Sequence, residues 1–316
     1  MKIRLTFVHS WMAVVACLAL YTTTTPLLAA PRVVVSIKPV HSLVAGIMQG
    51  VSEPDLLIRG SQSPHDFNLR PSDMHLLQQA DLVIWVGPDV EASLARLFEK
   101  NLLTARVATL TQLPDVTWLS SRNEGGWETE QHDATAHLDH AHHHASSIDS
   151  HIWLSPAIAR HIVQQVTELL CELDKANTSR YRKNSQQLIA RLTQLDNELA
   201  STLSPIREQP FIVFHDAYHY FEQHYDLNGV GCVSLSPDRQ PGAQHIHELR
   251  SMITHLQARC VFSEPQFEPK LVETLIEGTT AKAGYLDPLG SDLEPGPEAY
   301  FLLMHQLAEN LAGCLR

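Results

Sequence analysis

Short β-rich runs alternate with amphipathic helical runs along most of this chain, and this alternation most limits the folds that it can adopt. In the first half, RVVVSIK, PDLLIRG, DLVIWVG and RVATL read as strands, with helices that begin near Pro39, Pro71 and Asp89. Two neighbouring parallel strands need a long crossover connection, which a helix supplies. Strands that alternate with helices therefore indicate a parallel sheet. The first half therefore predicts an α/β lobe with a mainly parallel sheet.

A second series of the same kind begins at Phe211, after an unusually long helical run. Tyr181 and four leucines recur at helical spacing between Thr178 and Leu203 and form one apolar stripe. At 1.5 Å per residue this run is about 39 Å long, enough to cross a domain. We therefore predict the α/β class, with two α/β lobes of mainly parallel sheets joined by a long rigid backbone helix. The predicted segments are a signal peptide (1–30), an N-terminal lobe (31–177), a connecting helix (178–204) and a C-terminal lobe (205–316). In the C-terminal lobe, the predicted strands are FIVF, VGCVSL, CVFS and KAGYL, and the predicted helices lie near 217–225, 242–257, 268–277 and 297–315.

The first thirty residues have the pattern of a secretory signal peptide. Lys2 and Arg4 precede a mostly apolar run, and small residues follow up to Ala30, where cleavage is expected. A lipid anchor at Cys17 is the alternative. No later apolar run approaches ~20 residues, so we expect the mature protein to be soluble and exported. Removal of the two bases changes the formal charge from −12 to −14, which argues against a nucleic-acid partner.

Residues 122–150 interrupt the alternation and are predicted to be a disordered, solvated insertion. Six acids and one base, Arg122, stand there without apolar periodicity. Such a segment is too polar to build one preorganised site, but its imidazoles can bind metal ions weakly. We predict an accessory collector of metal ions, with a tether that binds metal incidentally as the alternative. The accessory histidines are His132, His137, His140, His142, His143 and His144.

Five side chains that can bind a metal follow predicted strands or lie beside a helix start. Parallel α/β sheets bind ligands beyond the carboxyl ends of their strands. His65 follows the strand PDLLIRG, His151 precedes the helix that WLSP opens, and His215, Glu264 and Asp287 follow strands of the second lobe. Each alone has an ordinary explanation, a surface histidine or a helix-capping acid. Their shared position favours a metal site formed by both lobes.

Six sequence motifs resemble those of one known family. They are, in chain order, GSQSPHDFNLRPSD, DSHIWLSP, FHDAYHYFE, QPGAQHIHELR, CVFSEPQF and YLDPLG. With these motifs the chain resembles the zinc-specific periplasmic binding proteins of ABC importers, in the cluster A-I metal-binding family, from about residue 33 to the end of the chain and including the His-rich insertion. The resemblance implies capture of Zn²⁺ between the lobes and delivery to a membrane permease by a monomer that is not an enzyme.

The same resemblance implies the ligands. His65, His151 and His215 match the metal-binding histidines, Asp287 matches an acid that lines the site, and Glu264 matches a second nearby acid. Manganese-binding relatives carry a carboxylate at the position of His215. Three imidazoles with one oxygen or water suit tetrahedral Zn²⁺ better than Mn²⁺. His219 departs from the family pattern and is either an alternative ligand or a surface neighbour.

Four cysteines remain after removal of the signal peptide, and they allow three complete pairings. Cys260 starts a strand and Cys314 ends the last helix, which runs antiparallel to the strands, so the two are expected at the same pole. The family resemblance also pairs them. The loop of about 54 residues gives a chain-entropy contribution of roughly 4 kcal/mol. Cys171 and Cys232 are expected to stay outside a disulfide.

Two other functions use the same three histidines. A zinc hydrolase also combines three histidines with a water, although the sequence has no HExxH helix. A periplasmic zinc chaperone would share every ligand but would need no permease.

Overall fold

A computed structural model describes residues 30–122, 125–127, 148–234, 243–266 and 269–316. Residues Pro31–Arg316 form one compact unit. The predicted signal peptide, the alternative anchor at Cys17 and the six accessory histidines lie outside the described residues. Within the described part of the chain, no helix is long and apolar enough to cross a membrane.

The first sheet has four parallel strands in the order β2-β1-β3-β4. Its two central strands are valine-, leucine- and isoleucine-rich and buried along their whole length, as expected where helices cover both faces of a sheet. The predicted parallel α/β lobe is confirmed. The elements are β1 Val33–Val35, α1 Lys38–Met48, β2 Asp55–Leu56, α2 Pro71–Gln78, β3 Leu82–Trp85, α3 Ala92–Glu99 and β4 Arg106–Thr109.

The second sheet has the order β5-β7-β6-β8-β9. The four strands β6 to β9 are parallel, and β5 pairs antiparallel with β7. The strands and helices of this half follow the predicted alternation. Two helices, α4 Pro156–Leu173 and α5 Thr178–Leu203, precede β6 in the sequence. The elements of the second half are β5 Gly125–Gly126, β6 Phe211–His215, α6 His219–Tyr225, β7 Gly229–Ser234, α7 Ala243–His255, β8 Cys260–Ser263, α8 Pro269–Ile276, β9 Lys282–Tyr285 and α9 Ala299–Leu315.

The long helix α5 belongs to the core that the two halves share. It packs against α4 and α1 of the first half and against α9 of the second. Tyr181 and the leucines of the predicted stripe are all buried. Asn184 of α5 donates from Nδ2 to the carbonyls of Ile47 (2.9 Å) and Gln49 (2.8 Å). These two bonds fix the end of α1 to α5. The predicted rigid connecting helix is therefore present.

The structure differs from the predicted limits of the insertion. Gly125 and Gly126 pair with β7, and the amide of Trp127 donates to the carbonyl of Val230 at 2.8 Å. On the other side, Ile148 forms an antiparallel bridge with Ser120. Composition gave no sign of this pairing, because the strand is only two glycines long and its partner lies about a hundred residues away.

A disulfide joins Cys260, the first residue of β8, to Cys314 near the end of α9, with 6.3 Å between the Cα atoms. It ties the last helix to the second sheet at the pole opposite the carboxyl ends of the strands. The predicted pairing is confirmed. Cys171 and Cys232 are buried and lie outside this bond.

Candidate metal site

Three predicted histidines lie together at the carboxyl ends of the strands. His65, His151 and His215 each present a ring nitrogen, and these nitrogens all lie within 4.8 Å of one another. The ring centroids are 4.8 to 5.5 Å apart. Zn–N bonds of about 2.0–2.1 Å in a tetrahedron separate two ligand nitrogens by roughly 3.4 Å. A small closure of the cluster would therefore bring all three onto one ion.

His65 lies in the connection between β2 and α2. Its amide donates to Ser63 Oγ at 3.3 Å, and its ring is hydrogen-bonded to the backbone of Asp89 in the connection after β3. Burial, together with the neighbouring rings of His151 and His215, lowers the pKa of His65 to about 2. This imidazole is therefore neutral and needs to release no proton in order to bind a metal.

His151 is oriented by Asp149, two residues before it. Asp149 Oδ1 accepts from the His151 amide at 3.0 Å and lies 2.8 Å from its Nδ1, whereas Nε2 is buried without a hydrogen-bond partner. Although burial of Asp149 favours its protonated form, its hydrogen bond with His151 holds its pKa below the usual range. A carboxylate on one ring nitrogen is the usual support of a metal-binding histidine, because it fixes the tautomer and the ring orientation.

His215 is the last residue of β6, and Glu264, which follows β8, supports it. The Glu264 carboxylate accepts from the His215 amide at 3.3 Å, and its other oxygen lies 3.7 Å from Nδ1. Burial alone would lower the pKa of His215, but the bond to Glu264 and its charge raise it above that of an ordinary histidine. Glu264 also lines the cavity between the rings.

Asp287 does not join the group of three histidines. Its carboxylate accepts from the amides of Leu289 (3.0 Å), Gly290 (3.1 Å) and Ser291, and so shapes the loop that follows β9. Two side chains of the first half hold this loop. Lys38 Nζ donates to the carbonyls of Gly290 (2.6 Å) and Ser291 (2.7 Å), and Trp153 Nε1 donates to that of Pro288 (2.8 Å).

His219, the first residue of α6, also lies outside the group. Its Nδ1 is 3.6 Å from Asp149 Oδ2, so it stands behind the residue that orients His151. Sequence reasoning missed Asp149 and Lys38. The Asp-x-His spacing within DSHIWLSP was a local sign of the Asp149–His151 pair, whereas nothing near Lys38 pointed to a loop some 250 residues later.

The rings enclose a cavity of about 20 Å³, which holds about one water-sized particle. Imidazole nitrogens and the carboxylate of Glu264 form its polar wall. Trp153, Pro288 and Leu289 form its apolar wall. The space therefore suits a single ion.

The protein has two sheets with flanking helices around one long helix, and imidazoles from both halves meet at a cavity of single-ion size. This fold and this site define a metal-ion-binding protein. The chain belongs to the ZnuA family: the family model described as zinc-uptake complex component A, periplasmic, matches residues 33–314.

A named relative agrees with this membership, and two solved structures share the fold. The high-affinity zinc uptake system protein ZnuA of Brucella abortus is 37% identical over 304 residues, which cover 90% of this chain and 91% of that protein. A crystal structure of ZnuA superposes with a TM-score of 0.74 at 23% identity and covers 91% of this chain and all of that one. A second structure, of a zinc-bound ZnuA with residues 138–173 deleted, has a TM-score of 0.73 at 23% identity, covering 90% of this chain and 98% of that one.

The family confirms the resemblance read from the sequence motifs. Its members are components of a zinc-uptake complex and are described as periplasmic, so the chain is a solute-binding component and not an enzyme. The alternative of a zinc hydrolase is thereby set aside.

Proposed function

We propose that this protein captures Zn²⁺ with His65, His151 and His215 and delivers it to an ABC-type membrane permease for high-affinity zinc uptake. The observation that carries this proposal is that one ring nitrogen from each of the three histidines lies within 4.8 Å of the other two. Two of these histidines are buried. Neutral imidazole binds borderline ions such as Zn²⁺ well, and the cavity between the rings has the size of a single ion. Zinc is the cargo of the site.

The fourth position around the ion is supplied by an oxygen. Glu264 is the nearer candidate, because its carboxylate lines the cavity beside His215. Asp287 would have to give up amides of its own loop, or act through a water, before it could reach the ion. Both stay proposed site residues, with Glu264 also serving to orient His215.

We propose that release of zinc involves the loop of residues 287–291 more than a wide movement of the two halves. The helix α5 is continuous over its length and is packed on helices from both sides. The loop, by contrast, forms part of the cavity wall and is held by Lys38 and Trp153. Docking on the permease would have to break only these few contacts to open the cavity.

The finer points of location and assembly belong to the same proposal. Residues 1–30 would direct export and be cleaved, and the mature protein would act as a monomer with the permease as its partner. We propose the limits 31–177 and 205–316 for the two lobes, joined by the helix 178–204, because each range holds four parallel strands. The strand β5 is the exception, since it comes from the first range and pairs in the second sheet. The acidic charge of −12 over the whole chain fits a cation cargo and no nucleic acid.

Zinc affinity is expected to fall between about 10-fold and 100-fold when the pH is lowered from 7.5 to 5.5. The pKa of His215 is raised, so this ring takes up a proton early as the pH falls, and protonated imidazole cannot bind a metal. The zinc affinity is therefore highest above the raised pKa and falls about ten-fold for each pH unit below it. His65, with a pKa of about 2, adds nothing in this range. Competition with a zinc chelator at each pH measures the effect, and a constant affinity would contradict it.

The histidines of residues 132–144 are proposed to raise the local concentration of zinc without forming the tight site. Deletion of residues 131–146 is expected to remove weak zinc binding and to leave one tight site. Calorimetric titration of the deleted and the complete chain distinguishes the two classes. Loss of the tight site on deletion would overturn both this role and the assignment of the three histidines.

Growth under zinc starvation tests the transport role. Cells that lack their own zinc-binding component are expected to recover when this protein is expressed together with its permease, and to fail with the permease alone. Recovery without any permease would favour the zinc chaperone instead. Tight zinc binding by the purified protein is required under either outcome.

A further inference from the structure

Arg122 binds two buried carboxylates that flank the connection between β6 and α6. Its Nε and Nη2 donate to Asp216, with Nε 3.1 and 3.2 Å from the two oxygens, and its Nη1 donates to Glu222 at 2.6 Å. The exposed fractions of the three side chains are 16%, 7% and 5%. The guanidinium also lies over the ring of Trp127, 3.3 Å from its centroid. A planar donor with five N–H groups can make all these contacts together, and a lysine cannot.

The connection that Arg122 holds carries one ligand of the proposed zinc site. Asp216 directly follows His215, and the amide of Ala217 donates to the carbonyl of His215 at 2.8 Å. Glu222 lies in α6, and its amide bonds to the carbonyl of Tyr218 at 2.8 Å. A clamp on Asp216 and Glu222 therefore fixes both ends of the turn from the strand to the helix, and with it the end of β6.

The same turn reaches the support of a second ligand. His219 begins α6 and lies 3.6 Å from Asp149, the residue that orients His151. Tyr220, the next residue, contacts the same region, because the amide of Leu119 donates to its hydroxyl at 3.0 Å. Displacement of this turn would thus move the backbone that carries His215 and the surroundings of Asp149 together.

We propose that Arg122 is a positioning residue of the zinc site, which holds His215 through Asp216 and the His151–Asp149 pair through α6. The inference rests on the proposed function, because it concerns the geometry of that site. Arg122 touches neither a ligand nor the cavity itself. Its influence passes through the backbone between residues 215 and 222.

Arg122→Met is expected to weaken zinc binding by about ten-fold, the lower end of the effect of removing a group bonded directly to a metal ligand, because Arg122 acts one contact further out. It is also expected to change the visible absorption spectrum of the Co²⁺-loaded protein, since that spectrum reports coordination geometry. Arg191→Met is the matched control, because Arg191 also makes a forked contact with a carboxylate, that of Glu298 (2.9 and 2.6 Å), and lies over the ring of Phe301, but it joins α5 to the start of α9 rather than to α6. The control is expected to keep the affinity and the Co²⁺ spectrum of the unsubstituted protein.

A second variant covers the case in which Arg122→Met does not fold. Arg122→Lys keeps a positive charge beside the two carboxylates but loses the forked contact, so it is expected to fold and to bind zinc several-fold more weakly. A folded Arg122→Met or Arg122→Lys protein with unchanged zinc affinity and an unchanged Co²⁺ spectrum would overturn the proposal. Failure of the proposed function would look different, because the unsubstituted protein would then bind zinc weakly.

Discussion

Replacement of His215 by alanine is expected to weaken zinc binding by roughly 100-fold to 1,000-fold. Zinc sites of four protein ligands bind with apparent free energies of about 10–16 kcal/mol, or roughly 3 kcal/mol for each ligand. Loss of one imidazole therefore removes about that much, and each 1.4 kcal/mol is a factor of ten in affinity. His215 is buried at the end of β6, so no neighbouring side chain of the described residues is placed to take over its nitrogen.

The measurement is competition against a chelator of known zinc affinity, with thermal unfolding as a check of the fold. His161→Ala is a suitable control, because His161 lies partly exposed on α4, where its Nε2 contacts the carbonyl of Asp115 at 3.1 Å, and it does not line the cavity between the rings. This control should bind zinc like the unsubstituted protein. Equal affinities of the His215→Ala and His161→Ala proteins would exclude His215 as a ligand.

Removal of the disulfide is expected to cost about 4 kcal/mol of the free energy of unfolding. The bond closes a loop with a sequence separation of 54 residues, and cross-linking such a loop removes entropy from the unfolded chain. It also ties α9 to the first residue of β8, so the last helix loses its covalent anchor. Cys260→Ser combined with Cys314→Ser, followed by denaturant unfolding in comparison with the unsubstituted protein, measures the loss.

Zinc affinity of this double variant should stay close to that of the unsubstituted protein wherever both are folded. The disulfide lies at the start of β8, whereas the histidines lie at the carboxyl ends of the strands. Cys171→Ser, which removes a buried thiol outside the disulfide, should destabilise the protein far less. An equal loss of stability in Cys171→Ser and in the double variant would show that the cross-link itself contributes little.

The sequence predicted the elements of the fold well, because apolar periodicity reports which residues face a core. The run LVIW forms the fully buried strand β3, and the leucine stripe of α5 is the buried face of a helix. In both cases the spacing of the apolar residues indicates the element that buries them. Boundaries were less certain. The helix α3 begins at Ala92 rather than near Asp89, because the buried carboxylate of Glu91 accepts from the amides of Val86 and Gly87 and closes a turn first.

The three histidines could be anticipated from the strand-end rule together with the family motifs, but their supports could not. Arg122 and Asp216 are 94 residues apart, and Lys38 and Gly290 are 252 residues apart. No local pattern links such pairs, since each is created only when the two halves come together. The placement of Asp287 in its own loop was likewise invisible, because an acid after a strand can point toward a cavity or toward nearby amides.

The most direct test of the central claim is a crystal structure of the zinc-loaded protein with anomalous scattering measured at the zinc edge. A single strong anomalous peak about 2.0–2.1 Å from one nitrogen each of His65, His151 and His215 is the expected result. A peak outside this group, or a protein that holds zinc tightly without one of the three nitrogens at bonding distance, would contradict the account.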